Sequence, residues 1–336
     1  MRNAQRTPRT MPAKHNIIVA GQSLGDRMTH LQAAMQFYLP GYTVFNAAVG
    51  GAGYTGLKLG TPAFTKSVQY GGDQVIIVHG ETDAYLYANP ATYAAYLQEW
   101  RDDYADYLHA PNLKVLFCQC SSQMVNATGT PQIAEVALGQ YNTALAGGGT
   151  NLYMMGPKYQ FPYLADATHL TANGCSWLGQ KYAQVLSRLI TNGSWLPLYP
   201  TSITRSGAAV TIHLNVPVGP LVFDTTTIAA HPNGDYGLVY NDAGGTIAIS
   251  GTPAISGNTI TFNLTGTPST TPRKIRYGYW PASGTTPILN AGSAYSYSAG
   301  GMVYGNIRDS DTVSRYIDNN AYNMGNWLVH FEMDVP

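Results

Sequence analysis

The chain has 336 residues, of which 45% are hydrophobic and only 11% charged, and its 18 basic and 18 acidic side chains cancel. A zero balance excludes a basic nucleic-acid surface, and ample apolar content excludes intrinsic disorder. The length suggests about two domains. Three cysteines, Cys118, Cys120 and Cys175, cannot form a disulfide framework and read as buried thiols. With 36 glycines and 25 tyrosines, the composition leans towards a β-rich, extracellular or polysaccharide-facing protein.

In chain order, residues 1–14 are basic and rich in Pro and Thr, with no apolar core, so they read as a disordered leader rather than a secretory signal. From residue 15 to 195, short apolar runs alternate with helical patterns. Strands are expected at Asn16–Ala20, Thr43–Ala47, Gln74–Val78, Leu113–Gln119 and Leu152–Met155. Helices are expected at Met28–Leu39, Pro90–His109, Pro131–Leu145 and Thr171–Ile190, the last with Thr171 as its N-cap. Continuous apolar strands separated by helices imply a parallel sheet covered on both faces. Cys118 and Cys120 stand two apart in the apolar run of the fourth strand. No run reaches the ~18 apolar residues that a membrane span needs.

Beyond a boundary at Gly193–Pro200 the pattern changes to period two. Residues 209–214, 221–223, 237–240, 246–249, 259–264 and 274–279 alternate apolar and polar, with turn residues such as Asp242-Ala-Gly-Gly between them. Strands at such spacing predict a β-sandwich-like C-terminal part over 196–336. Its tail, from Asn290, is rich in Gly, Tyr and Asn and ends in an apolar run, Trp327–Met333.

Four segments have the residue types of a catalytic site. Gly21-Gln22-Ser23-Leu24-Gly25-Asp26 follows the first strand, and Asn46-Ala-Ala-Val-Gly50-Gly51 the second. His79-Gly80-Glu81-Thr82-Asp83 follows the third, and Asp166-Ala-Thr-His169-Leu-Thr171 precedes the last helix. In an open parallel sheet, ligands bind beyond the carboxyl ends of the strands. There Ser23 has the chemistry of a nucleophile, His169 that of its general base, and Asp166 that of the group holding the imidazole tautomer. The N–H groups of Ser23 and Gly51 make a candidate oxyanion hole.

These segments resemble the blocks of the SGNH (GDSL-like) hydrolases. They are most similar to the sialate O-acetylesterase and acetylxylan-esterase branch, whose first block reads Gly-Gln-Ser. The stretch 166–174, with Leu178-Gly179 beyond it, is similar to that family's last block. The resemblance covers about residues 15–192. It implies a three-layer α/β/α flavodoxin-like fold, Ser23 as nucleophile, His169 as base, Asp166 as its orienter and oxyanion donors from Ser23 and Gly51. Two positions depart from the pattern: Leu24 stands where the branch often has Asn, and His79 where its third block usually has Gln. His79 would then be a third oxyanion donor through a ring N–H, its tautomer set by Glu81 or Asp83, with Gln22 and Glu81 in support. The region 215–279 and parts of the tail resemble, more loosely, C-terminal parts of esterases encoded by phages and prophages. Together these imply a carbohydrate O-deacetylase in a virion-associated or extracellular setting. Its partner would be an O-acetylated bacterial polysaccharide, with neither nucleic acid nor membrane, and a second copy or phage tail proteins would be its protein contacts.

Other readings fit less well. In an α/β-hydrolase elbow the acid and histidine come from well-separated loops, whereas Asp166 and His169 are three apart. Gly51-x-Gly53-x-x-Gly56 spells a dinucleotide fingerprint but is followed by the helix-breaking Gly60-Thr-Pro62. His79 with Cys118-x-Cys120 lacks the Pro-Cys-x-x-Cys of a zinc deaminase. No metal or other cofactor is expected. A non-catalytic carbohydrate-binding protein on an esterase fold is the alternative from another class.

Overall fold

The computed structural model describes residues 15–28, 30–86, 88–122, 135–146, 151–164, 166, 168–231, 234–269, 271–278, 303–311 and 322–336. The expected leader, the first part of the expected third helix (131–134) and the stretch 279–302 lie outside these residues.

Five strands, β1 (His15–Gly21), β2 (Tyr42–Asn46), β3 (Gln74–Val78), β4 (Lys114–Gln119) and β5 (Leu152–Pro157), form one parallel sheet in the order β2-β1-β3-β4-β5. This is the flavodoxin-type order, and it reverses between β1 and β3, where such sheets bind ligands. Successive residues of β1, β3 and β4 are buried alike, so both faces of the sheet are covered. Cys118 and Cys120 are both fully buried.

Between the strands lie α1 (Ser23–Asp26), α2 (Leu31–Tyr38), α3 (Pro62–Val68), α4 (Glu81–Tyr85), α5 (Pro90–Tyr107), α6 (Glu135–Tyr141) and α7 (Ala172–Asn192). In α5, Tyr93, Leu97, Trp100 and Tyr104 fall on one helical face and are buried. Asn89 caps it by accepting from Thr92 N–H at 2.9 Å, with Pro90 in the first turn. Thr171 caps α7 in the same way, accepting from Gly174 N–H at 3.1 Å. The sequence reading missed α1, α3 and α4, which are too short to carry a period. It also began the second helix too early, because Met28 N–H still bonds Gly25 O within the turn after α1. After α6 the helix widens into a π-turn, Asn142–Ala146, rather than running regularly to Leu145.

The C-terminal part is antiparallel. Strands β6 (Tyr199–Ser206), β7 (Ala209–Asn215), β8 (Leu221–Phe223), β9 (Leu238–Asp242), β10 (Gly245–Ile247), β11 (Ile249–Ser256), β12 (Thr259–Leu264), β13 (Lys274–Tyr277), β14 (Ile307–Asp309) and β15 (Phe331–Asp334) make three sheets. Two have four strands, β10-β9-β13-β15 and β11-β12-β7-β6, and β14 pairs with β8. Alternate residues such as Val210, Ile212 and Leu214 on β7 enter the core. The expected single strand 246–249 is two strands in different sheets, because the chain crosses between sheets at Ala248.

The last residues return to the α/β part. Tyr159 O–H donates to Leu328 O at 2.7 Å, and Val329 N–H donates to Leu198 O at 3.1 Å. Trp327, Leu328, Val329 and Phe331 are buried in a cluster continuous with the strands of the parallel sheet.

Candidate active site

The nucleophile turn is built by backbone crowding at the end of β1. Gly21 has φ +124°, and a Cβ there would stand 2.1 Å from Val78 O. The chain therefore passes hard against β3, and Gln22 N–H donates to Val78 O at 2.9 Å. Ser23 follows as the first residue of α1, a position whose N–H lies outside the helix's own bonding.

The second segment is tied to this turn. Asn46 Nδ2 donates to Gly25 O at 2.8 Å, its Oδ1 accepts from Ala48 N–H at 3.0 Å, and Val49 N–H donates to Gly21 O at 2.8 Å. Gly50 faces Ser23, since a Cβ built on it would lie 3.9 Å from Ser23 Cβ. Gly51 adopts φ +71°. Among the described residues neither Ser23 N–H nor Gly51 N–H has an acceptor.

The last segment is a short hairpin. Tyr163 pairs with Leu170, Leu164 N–H donates to His169 O at 2.7 Å, and Thr171 N–H donates to Pro162 O at 2.9 Å. Asp166 and His169 project from it. Ser23 Oγ lies 2.9 Å from His169 Nε2, and His169 Nδ1 lies 2.6 Å from Asp166 Oδ2. Asp166 Oδ1 also accepts from the N–H groups of Thr168 and His169, at 2.9 and 2.8 Å. Partial burial opposes the Asp166 charge, but these hydrogen bonds outweigh it and hold the carboxyl below its ordinary range. Nδ1–H therefore donates to a carboxylate, and Nε2 is left to accept the Ser23 proton.

The third segment differs from expectation. His79 does not present a ring N–H to the site, because its side chain is completely buried and both nitrogens have partners. Nε2 lies 3.2 Å from Ala52 O and 3.1 Å from Asp83 Oδ2. A carbonyl only accepts, so Nε2 carries the proton and Nδ1 accepts from Tyr93 O–H at 2.9 Å. Asp83 Oδ2 also accepts from Tyr54 N–H at 3.0 Å. His79 and Asp83 thus hold the loop that carries Gly51, rather than adding a donor to it.

Gln22 and Glu81 form a buried link. Gln22 Nε2 donates to Glu81 Oε2 at 2.7 Å, and Thr82 N–H donates to Gln22 Oε1 at 3.3 Å. The other Glu81 oxygen pairs with the Lys158 ammonium, itself fully buried. Sequence reasoning missed Lys158, whose one signal is its position directly after a strand, at the carboxyl edge of the sheet. It also missed Tyr93, which looks like an ordinary core aromatic of α5. Among the described residues no cluster of His, Cys, Asp or Glu could hold a metal ion.

No family model matches the chain, and no curated protein matches it. Solved structures do. A carbohydrate acetylesterase from Xanthomonas citri, XAC1771, superposes with a TM-score of 0.60 at 12% identity over 93% of this chain. The match spans 65% of that protein. A carbohydrate esterase family 3 protein from Talaromyces cellulolyticus gives a TM-score of 0.42 at 12% identity, over 54% of this chain and 100% of that one. The lipase/acylhydrolase from Enterococcus faecalis gives 0.37 at 19% identity, over 52% and 95%. At 12% identity, what this chain shares with the Xanthomonas protein is its fold, a parallel α/β sheet with helices and antiparallel sheets in the C-terminal part.

Proposed function

We propose that the chain is a serine carbohydrate esterase that removes O-acetyl groups from a polysaccharide through an acetyl-enzyme. The observation that carries this reading is the relay Ser23–His169–Asp166, with contacts of 2.9 and 2.6 Å, at the carboxyl edge of a parallel sheet. The similarity in fold to a carbohydrate acetylesterase supports it.

In this reading Ser23 Oγ attacks the ester carbonyl carbon while His169 Nε2 takes its proton. Asp166 keeps the imidazole in the Nδ1–H tautomer and stabilises the imidazolium. Negative charge gathers on the carbonyl oxygen, where the Ser23 and Gly51 N–H groups donate to it. His169 then returns the proton to the departing sugar oxygen. Water, activated by the same imidazole, hydrolyses the acetyl-enzyme and releases acetate. His79 has no part in binding the oxyanion. The likeness of region 215–279 to phage esterase segments supports a bacterial surface polysaccharide as substrate and a virion-associated or extracellular site of action.

The test is acetate release from purified O-acetylated O-antigens and capsules, with p-nitrophenyl acetate as a simple substrate. Turnover by the wild type and its loss in Ser23→Ala are expected. Sugar binding without Ser23-dependent turnover would replace this reading with a carbohydrate-binding role.

A further inference from the structure

The segment that carries the acid and base of the candidate site begins at a buried cation. Lys158 follows β5 directly, and from there the chain runs through Pro162 into the hairpin that presents Asp166 and His169. Its backbone is anchored at both ends: Lys158 N–H donates to Ser121 Oγ at 3.2 Å, and Phe161 N–H donates to Lys158 O at 3.2 Å. Its side chain runs the other way. The ammonium meets Glu81 Oε1, Glu81 Oε2 accepts from Gln22 Nε2 at 2.7 Å, and Gln22 is the residue before Ser23.

The Ser23–His169 contact is thus bridged a second time, beneath the site, by a chain of three side chains: Lys158, Glu81 and Gln22. All three are at most 2% exposed. Burial alone would discharge the ammonium, but the neighbouring Cys118 and Glu81 outweigh it and hold Lys158 above the ordinary lysine range. Burial pushes the Cys118 thiol up, and the group in direct contact with the ammonium is the Glu81 carboxyl. Two charges in such surroundings keep one geometry, because separating them leaves each unpaired in a low dielectric. An apolar side chain at either position would fill the volume but carry no directional tie.

We propose that Lys158 is a positioning residue: through Glu81 and Gln22 it sets the register of the His169 hairpin against the Ser23 turn. This rests on the reading of Ser23 and His169 as nucleophile and base. It touches no substrate, so its removal should slow the chemical step without weakening substrate binding.

The experiment measures kcat and KM on p-nitrophenyl acetate for wild type, Ser23→Ala, Lys158→Met, Gln22→Met and the double variant Lys158→Met/Glu81→Gln, each with its thermal midpoint. The rate of Ser23 labelling by a fluorophosphonate is followed in parallel. The double variant removes both charges, so it stands in if Lys158→Met alone leaves Glu81 too poorly paired to fold. Gln22→Met cuts the same chain with the ion pair intact. A tenfold or greater fall in kcat and in labelling rate, with KM within twofold, is expected in every folded variant of the chain. A folded variant lacking Lys158 with kcat within twofold of wild type would overturn the proposal, and so would a change confined to KM. If no variant lacking Lys158 folds, unchanged labelling in Gln22→Met overturns it and slowed labelling upholds it. Turnover surviving in Ser23→Ala would instead overturn the reading of the site itself.

Discussion

Gln119 and His330, 211 residues apart, exchange two hydrogen bonds: Gln119 Nε2 donates to His330 O at 2.8 Å, and His330 N–H donates to Gln119 Oε1 at 2.7 Å. The His330 ring adds a contact of 2.9 Å to Ser121 Oγ. This pair sits at the carboxyl end of β4 and fastens the end of the chain to the sheet that carries the site.

That attachment should fail in acid. Burial pushes the His330 pKa down to about 3, against ~6.5 for an unfolded histidine. Between these values only the unfolded state binds the proton, so stability is full above ~6.5 and falls as the pH drops, by about 1.4 kcal/mol per pH unit. The lowered carboxyls of Asp166, Asp224 and Glu332 act the same way, but only below about pH 4.5. Denaturant unfolding at pH 6.5, 5.5 and 4.5 should show this slope in the wild type and a flatter one in His330→Asn. Equal slopes would remove His330 as the cause.

Asp166→Asn tests the tautomer argument. An amide at this position can donate to Nδ1 and so leave the proton on Nε2, the wrong nitrogen for accepting from Ser23. We expect kcat to fall by roughly 10³–10⁴-fold with little change in thermal midpoint. A loss of less than tenfold would mean that Asp166 does not orient the imidazole.

Gly51 can be examined through its backbone. No atom lies within 4 Å of a Cβ built there, so a side chain fits, but φ +71° costs an L-residue about 1–2 kcal/mol. Gly51→Ala should relieve that strain by turning its N–H away, lowering kcat by about 10–100-fold. Gly51→Asn, which tolerates the left-handed region better, should keep more activity. Equal activity in both variants and wild type would take Gly51 out of the oxyanion hole.

His79→Gln separates a brace from a donor. Loss of a direct oxyanion donor costs about 10²–10³-fold in kcat. As a brace, His79 should cost less than that. The variant should also lose stability, by about 1–3 kcal/mol, as Ala52 O, Tyr93 O–H and Asp83 give up a buried partner. Unchanged stability with a 10²-fold slower kcat would restore His79 as a donor.

Much of this was legible in local order. The five parallel strands stand within a few residues of the apolar runs that predicted them, since a doubly covered strand must be apolar at successive positions. The relay could be anticipated because Ser23 follows a strand and Asp166 stands three residues before His169, which lets one hairpin present both. A side chain at a strand end, such as His79 or Lys158, can turn into the core or out to the cleft, and neighbours in sequence do not say which.

The sequence by itself determined the sheet, its order of elements, the three strand-end segments and the segment before the last helix, because periodicity and turn chemistry act over a few residues. Only the tertiary structure decided that His79 meets Tyr93 and Ala52, that Lys158 finds Glu81, and that His330, just before the last strand, reaches Gln119. Each of those choices pairs polar groups far apart in the chain, and burial makes the pairing obligatory without naming the partner.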